Sequence, residues 1–153
     1  MGVTLVWLLL AGGLFMYFNT RVHPNTADKL SSGTEVMLER DLSGHYRAEA
    51  FINGVKTTVM VDTGATDVAI SSAFAQRLGI QSNRAIRTQT ANGATIGYMT
   101  RLQSVKLGGI EAHDVAATIV ADLGADMLLG MSFLNRMEVR LYRGTMTIRA
   151  VNE

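Results

Sequence analysis

An aspartate ends the apolar run in Val59-Met60-Val61-Asp62-Thr63-Gly64-Ala65-Thr66. An ionised carboxylate in such a place is costly unless it is hydrogen-bonded, paired or used in catalysis. Thr63 adds a hydroxyl, and Gly64 lets the backbone turn tightly and come close to a second chain or a substrate. A single carboxylate can hold a water, but acting as base and acid in one step takes two. Asp-Thr-Gly occurs once in the 153 residues, so a paired site requires two chains. Without a second chain, Asp67 and Asp126 are the first partners to consider. The plainer reading is that Asp62 only caps the Thr-Gly turn.

Other chemistries find less support. Asp67 follows Asp62 by five residues, but no further oxygen ligands cluster as a calcium loop requires, so no metal is expected. The chain has no cysteine, which excludes disulfides, zinc-thiolate sites and cysteine nucleophiles. Gly-x-Ser-x-Gly is absent, and His23, His45 and His113 lie far apart and read as surface residues. Glu111 and Asp114 beside His113 fit a solvated hairpin tip. Gly108-Gly109 is a turn rather than a phosphate cradle, because no helix follows it. A net charge of +1 with 18% charged residues gives no electrostatic footprint for nucleic acid. Met99, Met127 and Met131 are candidates for lining a pocket.

The elements that must position Asp62 are short strands and glycine turns. Glu35 to Arg40 reads as a first strand. His45 to Ile52 alternates, with Tyr46, Ala48, Ala50 and Ile52 on one face; after Asn53-Gly54, Val55, Thr57, Val59 and Val61 alternate again. Two such runs around Asn-Gly predict a hairpin, because that pair accepts the positive φ angles of a type I′ turn. Its second arm delivers Asp62. Ser71 to Gly79 predicts a short helix, with a serine cap, Phe74 and Leu78 on one face and a terminal glycine. Ile86 to Thr90 and Thr95 to Leu102 predict a second hairpin tipped by Ala91-Asn92-Gly93-Ala94. Val105 to Leu107 and Ile110 to Val120 predict a third. Met127-Leu128-Leu129-Gly130 is a short apolar strand running into a helical turn, Ser132 to Arg136. Val139 to Tyr142 and Thr145 to Arg149 form a last hairpin. Many short strands with one or two short helices imply a mainly β fold, a small barrel or sandwich.

The N-terminus differs in kind. Gly2 to Phe18 is 17 residues without a charge, close to the lower limit of the roughly 17–25 that cross a bilayer core. Trp7, Tyr17 and Phe18 suit its interfaces. No basic residue precedes the run and no Ala-x-Ala follows it, so a membrane anchor fits better than a cleaved signal peptide. Residues 1–18 are read as a transmembrane anchor in contact with lipid, 19–34 as a polar tether broken by Pro24, Ser31, Ser32 and Gly33, and 35–150 as the globular domain. Arg21 and Lys29 after the anchor weigh slightly towards a cytoplasmic C-terminus.

With Asp62-Thr63-Gly64-Ala65 at the end of a hairpin and Leu128-Leu129-Gly130 downstream, the chain resembles a retropepsin, a one-lobed aspartic protease. Gly44-His45-Tyr46, Ile52-Asn53-Gly54, Thr90-Ala91-Asn92-Gly93 and Leu128 to Leu134 are similar to a bacterial branch whose members carry one N-terminal membrane anchor. The resemblance covers roughly Glu35 to Ile148. It implies a small closed barrel of retropepsin type after a single transmembrane helix, and a membrane-anchored aspartic endopeptidase active as a homodimer on peptide or protein substrates, with no cofactor. Asp62 would be the catalytic residue and Thr63, Gly64 and Ala65 its loop. Thr66, Asp67, Ala91, Asn92, Gly93 and Leu128 would contact substrate, the flap being the Thr90 to Thr95 tip. It also implies a place in the cell inner membrane with the catalytic domain on the periplasmic side, against the charge-based orientation. The rival readings are a non-catalytic dimerisation or peptide-binding module of the same fold, and a membrane-assembly subunit that only docks on a partner.

Overall fold

The computed structural model describes residues 2–23, 25–30, 33–90 and 93–151. Ala91 and Asn92 of the expected flap tip, and Pro24, Ser31 and Ser32 of the expected tether, lie outside the described residues. Helix α1 (Gly2–Val22) precedes ten strands and two short helices. The strands are β1 (Glu35–Glu39), β2 (Tyr46–Ile52), β3 (Val55–Val61), β4 (Val68–Ser71), β5 (Ala85–Thr90), β6 (Gly93–Leu107), β7 (Ile110–Val120), β8 (Met127–Leu129), β9 (Met137–Tyr142) and β10 (Thr145–Ala150). Helices α2 (Ser72–Arg77) and α3 (Met131–Leu134) complete the order.

Six strands close a barrel in the order β2-β3-β8-β4-β7-β6, with β6 returning to β2 through the pairs Phe51↔Lys106 and Ile52↔Val105. Strand β5 hangs from β6 outside this ring. A separate sheet, β1-β10-β9, covers one side. The two share one apolar core that includes Leu38, Ile52, Ile70, Phe74, Leu102, Met127, Leu129, Phe133 and Ile148.

The local signals act as their chemistry requires. Asn53 and Gly54 take φ of 49° and 81°, and Ile52 pairs with Val55 across them. Ser71 caps α2 by accepting the Phe74 N–H, and Gly79 follows the helix at φ 68°. Two elements depart from the expected pattern. Strand β4 was not anticipated; its four residues are too few to show alternation, and it forms no hairpin with its neighbours in sequence. The arms expected at Thr95 to Leu102 and Val105 to Leu107 are one strand of 15 residues, β6. It pairs with β5 near its start and with β7 from Gly97 onward. At that crossing a Cβ on Gly97 would lie 2.5 Å from Thr118 Cγ2 and 3.2 Å from Thr88 Cγ2, so a bare backbone lets the strands converge.

Helix α1 is exposed along its length, and Thr4–Val22 is long and apolar enough to cross a membrane. The stretch expected to be an irregular tether differs from that expectation. The helix runs on through Val22, and Asn25 is buried between the two sheets. The Asn25 amide donates to Glu39 O at 2.8 Å and Arg47 O at 2.7 Å, and Asn25 Oδ1 accepts the Glu39 N–H at 2.8 Å. Its backbone carbonyl accepts the Glu49 N–H at 3.1 Å. These bonds satisfy the facing edges of β1 and β2, which belong to different sheets and have no ladder between them.

Ala27 N–H donates to Glu49 Oε2 at 2.7 Å. This bond holds the Glu49 carboxyl below the usual glutamate range against the opposing effect of burial, with help from Lys56 and His23. A carboxyl depressed in the folded state adds stability above its unfolded value and loses it as pH falls through its folded value. Glu49→Gln should therefore be less stable than the parent at neutral pH, and the gap should close below the ordinary carboxylate range, as read by urea unfolding in detergent at a series of pH values.

Asn25→Ala leaves three buried backbone groups without partners and should cost on the order of 2–3 kcal/mol in the same assay. Asn25→Asp should be no better at neutral pH, because a carboxylate cannot donate to Glu39 O and Arg47 O. Wild-type stability in either variant would contradict the clamp.

Candidate active site

Strand β3 buries Val59 and Val61 and carries the chain to Asp62. It runs parallel to β8, with Val59 opposite Met127, Met60 opposite Leu128 and Val61 opposite Leu129, and Asp62 N–H donates to Leu129 O at 3.1 Å. The other edge of β8 pairs antiparallel with β4. Strand β8 thus lies between the two strands that the Asp-Thr-Gly loop joins, and the loop must arch over its end. Gly130 stands there.

Gly130 is buried, and a Cβ on it would lie 2.2 Å from Asp67 O and 2.8 Å from Ala65 O. Only a glycine lets the loop carbonyls come this close. The next two amides then hold the loop: Met131 N–H donates to Ala65 O at 2.9 Å and Ser132 N–H to Thr66 O at 3.0 Å. Ser132 Oγ accepts the Val68 N–H at 2.9 Å and donates to Ala116 O at 2.8 Å, tying β4 and β7 to α3. The sequence pattern pointed to Leu-Leu-Gly but not to Ser132, whose role depends on a carbonyl from β7.

Within the loop, Gly64 N–H donates to Asp62 Oδ1 at 2.8 Å and Ala65 N–H to Asp62 O at 3.3 Å. The Asp62 side chain accepts no other hydrogen bond among the described residues, and the Thr63 hydroxyl makes none among them. Asp62 is half-buried, while Thr63 and Gly64 are exposed. The turn does not itself require glycine at 64: its φ lies outside the left-handed region, and the nearest obstacle to a Cβ is Asp62 Oδ1 at 3.2 Å. The bare Cα leaves room on the outer face of the loop.

Of the other candidate residues, Thr66 and Asp67 are exposed on the same loop, and Leu128 is half-buried between Met60 and Ala69. Gly93 begins β6 opposite Thr90, whose Oγ1 donates to Gly93 O at 3.0 Å. Asp67 borders a groove of about 180 Å³ lined also by Arg84, Met99, Arg101 and Thr118. These four had no sequence signal beyond the interest in Met99, since they reach the groove from β6, β7 and the loop before β5. Met127 is instead wholly in the core, and Met131 packs against it half-buried. Asp126 precedes β8 at the end opposite Gly130, held by Arg77 at 2.5 Å and Thr57 Oγ1 at 2.8 Å. That places it about 10 Å along the strand from the Asp62 end, too far to share a proton with it.

With this geometry in place, the comparisons with known proteins are decisive. A family sequence profile described as "gag-polyprotein putative aspartyl protease" matches residues 48–136. The chain belongs to the retropepsin-like aspartic protease family.

A retropepsin-like aspartic protease from Rickettsia conorii, known from its crystal structure, is 34% identical with a TM-score of 0.65, over 76% of this chain and 90% of that one. The retroviral protease-like domain of Ddi1 from Leishmania major shares the fold at 23% identity and a TM-score of 0.51, over 69% of this chain and 89% of that domain. An uncharacterized protein of Sinorhizobium sp is 34% identical over 109 residues, or 69% of this chain. One from Rickettsia prowazekii is 36% identical over 107 residues, or 68% of this chain. The chain spans about half the length of these curated relatives, 47% and 46%.

The family's hydrophobic-hydrophobic-Gly segment here is a steric requirement. Gly130→Ala should lower stability by about 3 kcal/mol or more, because backbone rather than a flexible side chain occupies the space. Thermal unfolding checks the cost. Amide exchange should show faster exchange at Met131 and Ser132, and protection there equal to the parent's would contradict the packing.

Proposed function

We propose that the protein is a membrane-anchored aspartic endopeptidase that acts as a homodimer, each chain supplying one Asp62. One observation carries this reading: a rigidly held Asp-Thr-Gly loop presents a single carboxylate, an unbonded Thr63 hydroxyl and a bare Gly64 on its outer face. Such a loop is half a site. Nothing in the barrel itself uses Thr63 or needs Gly64, whereas a second loop and a peptide backbone would use both.

Two carboxylates brought together at a two-fold axis share one proton, because like charges in contact cannot both stay ionised. The ionised Asp62 takes a proton from the water between them as that water attacks the scissile carbonyl. The protonated Asp62 donates to the forming oxyanion, and a proton then passes to the leaving nitrogen. Thr63 bonds across the dimer, and the β5–β6 hairpin closes over an extended substrate to exclude water. Thr66, Asp67, Gly93 and Leu128 contact that substrate, as do Ala91 and Asn92 at the flap tip. The sheet β1-β10-β9, with Leu141 and Tyr142 exposed on β9, is the surface assigned to the second copy. Helix α1 anchors the chain in the inner membrane, with the barrel on the periplasmic side.

Asp62→Asn should lower peptide hydrolysis by at least about a hundredfold while leaving stability unchanged or slightly raised. Gly64→Ala should also abolish hydrolysis, yet cost no more than about 1 kcal/mol, since only one side-chain atom crowds the new methyl. Turnover by the purified Asp62→Asn protein equal to the parent's would favour the non-catalytic module instead.

Dimer dependence has its own signature. The rate per chain in detergent should rise with protein concentration and level off once dimers predominate. A constant rate down to concentrations at which sedimentation shows only monomer would refute the two-chain site.

A further inference from the structure

The contact between the residues that follow α1 and the barrel sets a length. Asn25 is clamped by Glu39, Arg47 and Glu49, Ala27 is bonded to the Glu49 side chain, and Leu30 packs against the core. Further on, Thr34 O accepts the Ala150 N–H at 2.8 Å. From Asn25 onward the chain therefore runs on the barrel surface and adds nothing to the distance between barrel and helix. Val22, the last residue of α1, is three peptide units from Asn25, which limits their Cα separation to about 11 Å.

The clamp also lies near the site. Arg47, which accepts from Asn25, is the register partner of Met60, two residues before Asp62. With strands about 4.8 Å apart and about 3.4 Å per residue along them, Asp62 lies roughly 12 Å from Asn25. Whatever the tilt of α1, the carboxylate is therefore held within about 25 Å of the helix end. A loose chain over residues 19–34 would instead allow a reach of about 50 Å.

We propose that the Asn25–Leu30 clamp makes helix and barrel a device of fixed height, and that its substrates are themselves membrane-anchored polypeptides, cut in the extended stretch beside the bilayer. The proposal rests on the anchored-endopeptidase reading and adds the substrate class to it. A substrate whose own helix packs beside α1 emerges about 10 Å away. An extended strand can then reach the catalytic pair within about ten residues of leaving the membrane. Confinement of both partners to one surface raises their effective concentration, an advantage that a soluble protein does not share.

The test uses the full chain in liposomes with three substrates carrying one cleavable sequence. These are a free peptide, a single-span reporter with the sequence about five residues from its span, and the same reporter with the sequence displaced about thirty residues by a stiff helical spacer. The near reporter should be cut at least tenfold faster than the far one. Inserting twenty Gly-Ser residues between His23 and Pro24 should bring the two rates within about twofold, with free-peptide hydrolysis unchanged. Equal rates on near and far reporters by the parent chain would overturn the proposal while leaving the endopeptidase reading intact. Loss of free-peptide hydrolysis by a dimeric parent, or failure to float with the vesicles, would overturn the underlying reading and this proposal with it.

A readout independent of activity is also open, because the chain has no cysteine of its own. A fluorophore on Leu42→Cys, an exposed position in the β1–β2 turn, should transfer energy to headgroup-labelled lipid in the parent. Transfer should fall at least twofold in the Gly-Ser variant. Equal transfer in the two chains would show that the clamp does not set the height.

Discussion

The close approach of the loop carbonyls to Gly130 is the constraint on which the rest of the structure depends. Strand β8 has only three residues, yet it accepts β3 on one edge and β4 on the other. The loop between those partners has to cross the end of β8, and it can do so tightly only where no side chain stands. The Met131 and Ser132 amides then lie under the loop as donors. Thus one missing methyl allows four backbone and hydroxyl contacts to form, and those contacts hold the Asp62 backbone in register with the barrel. The apolar faces around it supply the bulk of the stability, but they would tolerate a looser loop.

The same arrangement explains why Asp62 sits at a strand end without the burial such a place usually brings. Its N–H is used by β8 and one carboxylate oxygen by Gly64, so the residue is fixed from within its own chain. The loop's outward face, Thr63 and Gly64 together, is not used by the barrel. Rigid support beneath and free groups above are what a group that must meet a partner requires, since flexibility would cost entropy at every encounter.

Much of this was legible in the sequence where the signal is local. Asn53-Gly54 between alternating runs, the Ser71 cap and the apolar Met127 to Leu129 each act within a few residues, and the structure forms them as expected. The family pattern likewise led to Asp62 and Gly130. What escaped was set by contacts distant in the chain. Strand β4 is a strand because β7 and β8 flank it, not because its residues alternate over a useful length. Ser132 matters through Ala116, and the groove beside Asp67 is assembled from segments up to fifty residues away in sequence. Asn25 was the hardest to read, since an asparagine in a polar stretch resembles a turn residue until both sheet edges it bridges are in place.

The pairing of β3 with β8 has a consequence for the order in which the protein is made. The hairpin β2–β3 is local and can close early, whereas β8 is separated from β3 by β4 to β7. Contacts between distant segments form slowly, because a long intervening chain must be closed first. A growing chain that has released Asp62 but not yet Gly130 carries the motif on an unsupported end. The loop takes its shape only when most of the barrel has been synthesised, so the chain carries its own delay between making its acid and arming it.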